Sequence, residues 1–232
     1  MVYMDIKNTT LLIFFITFLS ACGGGDDPST PANSCQSNNV SPDSITGPAI
    51  TVKMTVVYLP ETLPVNIPAL GNGYAEHQWG VIFDLDGSGT NSAGDIKLEL
   101  NHIKRSGSQP ANCQLIEFES VVYEYTSADT AIRITTGSVE VIDNTIILKV
   151  GKNQHINLNK ISNISSVQFN TITHDNDGQV YGDSYPVENS IATYISIPPD
   201  GMFTDTDTLS MSELLNVDVR HINLQTMEVL VD

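Results

Sequence analysis

Twelve residues, Asp84 to Asp95 (DLDGSGTNSAGD), carry the sharpest chemical signal in the chain. Side-chain oxygens stand at places one, three, five, nine and twelve: Asp84, Asp86, Ser88, Ser92 and Asp95. Gly89 at place six permits a sharp turn, and the backbone carbonyl of Thr90 follows at place seven. Hard oxygen donors set this closely suit Ca²⁺, which takes six to eight oxygens in a flexible shell. The same crowding makes three carboxylates repel one another unless a cation sits among them. A related pattern, Asp175-Asn-Asp177-Gly178 followed by Asp183, offers a second loop of the same kind.

The first loop resembles an EF-hand calcium loop over these dozen residues, and the resemblance implies a bound calcium ion. It differs from that family in having Asp95 where a bidentate glutamate is usual and Asn91 where an aliphatic residue is usual. Strand-like patterns, rather than helices, flank it on both sides.

Other chemistry leaves fewer traces. No G-x-S-x-G, H-E-x-x-H or phosphate-binding glycine loop occurs, and the five histidines are scattered singly. Glu117 and Glu119 share one face of a strand pattern, and a retaining glycosidase needs two carboxyl groups about 5 to 5.5 Å apart. A secreted glycoside hydrolase using this pair is therefore an alternative reading, although Val122 stands where a third acidic residue would complete a glycosidase-like order. Tyr74, Tyr181, Tyr185 and Phe203 lie near turns, where aromatic rings offer a stacking platform for sugars.

The elements that must position these groups read as strands almost throughout. Ile50, Val52, Met54, Val56 and Tyr58 alternate with polar residues, and Ile96, Leu98 and Leu100 alternate with Lys97, Glu99 and Asn101. Further strand patterns cover 78–85, 114–125, 130–136, 138–142, 145–150, 155–158, 166–173, 191–197 and 221–231. Trp79, in step with Val81 and Phe83, belongs in the core. Turn signals such as Asp143-Asn144 and Pro198-Pro199-Asp200-Gly201 separate the runs. This pattern predicts an all-β fold, a single antiparallel β-sandwich of jelly-roll or immunoglobulin-like topology. One short helix is expected where Ser210 and Glu213 form a capping box ahead of Leu214 and Leu215.

The amino terminus addresses the chain. Lys7 precedes an apolar run from Leu11 to Leu19, too short to span a bilayer but suited to a secretory signal. The sequence Leu19-Ser20-Ala21-Cys22 resembles the lipobox of bacterial lipoproteins, which implies that residues 1–21 are removed and Cys22 is acylated. Gly23 after that cysteine implies the outer membrane, by resemblance to enterobacterial-type sorting. Residues 22–39 are rich in Gly, Pro, Ser and Asp and read as a flexible tether, leaving 40–232 as the β-sandwich domain. Cys35 and Cys113 then remain as a pair in an oxidising compartment, where a disulfide closing roughly 80 residues would stabilise by roughly 4 kcal/mol in the chain-entropy model.

The net charge is −17, and only nine Lys and Arg follow the signal, with no basic stripe. Nucleic acid is thereby excluded as an expected partner. The expectation is a membrane-tethered, calcium-assisted binding module whose ligand is a polysaccharide or a protein. The hydrolase above and a structural envelope or adhesion module are the alternatives.

Overall fold

The computed structural model describes residues 41–59, 75–103, 118–163, 165–174, 180–188, 191–206, 220 and 222–232. They form two antiparallel sheets packed face to face, an all-β sandwich. The first sheet runs β13 (Met202–Thr204), β14 (Leu224–Val231), β1 (Ala49–Val56), β7 (Thr145–Gly151), β6 (Ser138–Ile142). The second runs β12 (Ile195–Ser196), β8 (Ser166–His174), β2 (Ala75–Asp84), β3 (Ile96–Ile103), β4 (Phe118–Ser127), β5 (Thr130–Thr136), and β9 (Val180–Tyr185) also pairs with β8. A small separate ribbon joins β10 (Val187–Glu188) to β11 (Ile191–Ala192). In chain order, β2 to β5 make an up-and-down meander within one sheet. The chain crosses between sheets before β2, before β6, before β8 and again before β13.

Alternation dictates which side of each strand is buried. Ile50, Val52, Met54 and Val56 on β1 meet Trp79, Val81 and Phe83 on β2, and Leu98, Leu148, Phe169 and Met227 fill the layer between. Trp79, Phe83 and Phe169 have no exposed surface, and full burial of one such side chain is worth roughly 1.5–3 kcal/mol. The β6–β7 turn places Asp143 at φ 52, a left-handed conformation that Asp tolerates better than most residues. Its neighbour Asn144 accepts from the Leu59 amide at 3.0 Å and donates to the Val57 carbonyl at 3.3 Å, fixing the exit from β1.

Two local expectations need correction or placement. The run 155–158 is not a strand: a 3-10 turn occupies Ile156–Lys160, started by the His155 ring accepting from the Asn157 amide at 3.3 Å. Leu158 and Ile161, three residues apart, point together into the core, which a strand's two-residue period would not allow. The expected helix after Ser210 lies outside the described residues, as do the signal segment, Cys22, Cys35 and Cys113. Among the described residues, no helix is long and apolar enough to cross a membrane.

Candidate metal site and the polar faces around it

The twelve-residue loop joins β2 to β3 at one end of the second sheet. Asp84 closes β2, and Asp95 stands one residue before β3, so the β2–β3 pairing brings the two ends of the loop together. Ligand oxygens of Asp84, Asp86 and Asp95 lie within 4.8 Å of one another. Asp95 is fully buried, Asp84 is 4% exposed and Asp86 is exposed. No Lys, Arg or His among the described residues pairs with any of them.

Backbone amides hold these carboxylates in place. Asp84 Oδ1 accepts from the amides of Gly87 at 2.8 Å and Ser88 at 3.2 Å, and its Oδ2 accepts from Gly89 at 2.9 Å. Asp95 Oδ1 accepts from the Leu85 amide at 2.9 Å, and its Oδ2 from the Ser92 amide at 2.8 Å. Ser92 Oγ bridges Asp86 at 2.7 Å and Asp95 at 3.3 Å. The turns need left-handed backbone at Gly87, Gly89 and Gly94, with φ 71, 71 and 101, which glycine adopts without a Cβ penalty.

The electrostatics split the three acids. Hydrogen bonds from Ser92 and then Ser88 favour the charged form of Asp86 and lower its pKa to about 2. Burial raises that of Asp95, and the charges of Asp84 and Asp86 add to the rise against two opposing amide hydrogen bonds. Tyr125 is pushed up to about 12 by burial and then by the Asp95 charge, and burial also raises Tyr194. Both are neutral phenols, and Tyr194 donates its hydroxyl to Asn91 in the loop.

The donor set fits a hard cation in part. Three carboxylates offer about a dozen lone-pair positions, more than their hydrogen bonds occupy, so oxygens remain for an ion. Ser88 and Thr90, however, are turned to each other, Ser88 Oγ donating to the Thr90 carbonyl at 2.7 Å. Carboxylates, rather than those two residues, are therefore the ready ligands.

The other expected site residues are dispersed. Asp183 lies on β9 and not in a loop; its Oδ2 accepts from the Leu224 amide at 2.9 Å, while Asp175 and Asp177 fall outside the described residues. Phe203 is 4% exposed and packs edge-on against Phe169 at 5.2 Å and Tyr185 at 6.2 Å. It closes one end of the core and presents no ring to solvent. Tyr181 and Tyr185 sit on β9 opposite Thr173 and Phe169, on the sandwich side of that strand, and Tyr74 is outside the described residues. Glu119 is bound by Arg133 at 2.7 Å, and Glu117 lies outside the described residues.

Alternation alone leaves Lys97, Glu99 and Asn101 as a solvent face. They are instead largely covered: Glu99 and Asn101 are each 3% exposed, and Lys97 forms an ion pair with Glu99. The only sequence signal was that alternation, which cannot tell an open face from a covered one. No protein-family model matches the chain, and no curated protein or solved structure matches it.

Proposed function

We propose that this chain is an exported, lipid-anchored β-sandwich that binds a polysaccharide outside the inner membrane and uses Ca²⁺ in its β2–β3 loop to fix that end of the sheet. The observation that carries the calcium part is two buried carboxylates, Asp84 and Asp95, clustered with Asp86 and, among the described residues, without a cationic side chain paired to them. Amides hydrogen-bond both carboxylates, but like charges buried together without a counter-charge are costly, and either a proton or a cation relieves them. At neutral pH a divalent cation is the stronger remedy, because it answers all three acids together. Asp84, Asp86 and Asp95 would hold it, and its role there is structural.

Export and anchoring are supported by the apolar segment before Cys22 and the tether after it. The acidic surface without a basic stripe agrees with a ligand that is not a polyanion. The test is calorimetric titration of calcium into metal-stripped protein, with a glycan array probed in the presence and absence of calcium. Heat of binding at one site and calcium-sensitive glycan capture are expected. Absence of heat would remove the calcium reading, and a blank array in both conditions would remove the polysaccharide.

A further inference from the structure

The outward side of the second sheet is a covered polar layer: Ile82, Glu99, Asn101 and Val121 are each at most 3% exposed. Register sets Asn170, Gly80 and Glu99 side by side on β8, β2 and β3. Lys97, two residues before Glu99, lies on the same side of β3 and forms an ion pair with it, the two side chains 18% and 4% exposed. Asn170 Oδ1 is buried and receives no hydrogen bond.

Gly80 is what lets these groups meet. Strands two apart in a sheet are separated by roughly 9–10 Å, so side chains from β3 and β8 can approach only over whatever stands on β2 between them. At Gly80 nothing stands there: a Cβ would lie 3.1 Å from Asn170 Oδ1 and 3.4 Å from Lys97 Cε. The lysine tip and the Asn170 amide therefore share the space above one bare Cα, and any larger residue would part them. Asn101 Oδ1 also lacks a partner, but it stands four residues along the same strand from Lys97, roughly 13 Å away and beyond the reach of the lysine.

A primary amine, a carboxamide and a carboxylate touching the amine thus stand together in a covered layer. We propose that Lys97 and Asn170 join in an intramolecular amide bond, with Glu99 as the acid–base group. Glu99 takes a proton from the Lys97 ammonium and leaves a nucleophilic amine. Burial favours that exchange, because a neutral pair needs less hydration than an ion pair. The protonated Glu99 donates to Asn170 Oδ1, the acceptor that lacks a donor, and so makes Cγ more electrophilic. Nζ attacks Cγ; the Cγ–Nζ bond forms, the Cγ–Nδ2 bond breaks, and the amide nitrogen departs as ammonia with one hydrogen that Nζ gives up through Glu99. Nothing is oxidised or reduced, and no co-reactant is consumed. The product ties β3 to β8 across β2.

The test is tryptic mapping of the purified full chain by mass spectrometry. The expected product is one species in which the peptides holding Lys97 and Asn170 are joined, lighter than their sum by one ammonia, with no cleavage after Lys97. Asn170→Ala and Lys97→Arg should each return separate peptides of full mass. Each should also lower the melting temperature by about 10 °C, the loss of a cross-link that closes roughly 70 residues. Glu99→Gln should likewise return separate peptides, with Lys97 and Asn170 unmodified. Separate full-mass peptides from the parent, cleaved after Lys97, overturn the bond, and the parent's own peptides decide this whether or not a variant folds. A joined pair that persists in Glu99→Gln overturns the acid–base role of Glu99.

Discussion

Neutralising Asp95 should uncouple the protein's stability from calcium. Its carboxylate is fully buried, and the ligand oxygens of Asp84, Asp86 and Asp95 lie within 4.8 Å of one another. At that separation two full charges repel by about 3.5 kcal/mol when the effective dielectric constant is about 20. Calcium held at 100 times its dissociation constant stabilises by about 2.7 kcal/mol, enough to offset most of one such repulsion. For a domain of this size, that is a rise in melting temperature of about 5–10 °C. The pH dependence follows from the raised pKa of Asp95. Without metal, the folded state holds the Asp95 proton more tightly than the unfolded state, so the stabilisation from Asp95 is fully present below its unfolded pKa of about 3.9 and is lost as pH rises through the raised value. With calcium the fall is reversed, because the ion takes the deprotonated site. Scanning calorimetry with and without chelator at pH 4.5 and pH 7.5 should therefore show a small calcium effect at the lower pH and the full one at the higher. Asp95→Asn should melt at one temperature in both buffers at pH 7.5. An unchanged melting temperature for the parent on chelation at pH 7.5 would refute the reasoning.

Gly201 has φ 70, and a Cβ there would stand 2.4 Å from the Val229 carbonyl oxygen, so Gly201→Ala should cost about 2–4 kcal/mol in urea unfolding. Phe203→Ala should destabilise by about 3–5 kcal/mol, as for a core aromatic, and leave glycan affinity unchanged; lost affinity at full stability would restore it as a stacking ring. Cys22→Ser should release the protein from the detergent phase, and a mature amino terminus other than an acylated Cys22 on mass spectrometry would contradict the anchor. Peptide mapping without reductant should join Cys35 to Cys113, and free thiols at both positions would exclude the bridge.

The sequence by itself determined the long strands and their inward sides, but it missed β9 and β13 and read the 3-10 turn at 156–160 as a strand. The alternation in β1 and β3 and the Asp143-Asn144 turn are local, and each is fixed by the two-residue period or by the conformations a short side chain allows. The loop acids were legible for the same reason, since Asp84, Asp86 and Asp95 are close along the chain and glycines let it fold back on itself. Tertiary structure decided which strands become neighbours, because pairing β1 between β14 and β7 joins segments distant in sequence. Jelly-roll and immunoglobulin-like orders both satisfy the same alternation. It also decided the fate of polar residues: Lys97, Glu99 and Asn101 carry the pattern of a wet face and yet lie covered, and Phe203 beside a turn is drawn into the core by Phe169 and Tyr185. Periodicity records which side of a strand a residue occupies, whereas burial depends on what the rest of the chain lays against that side.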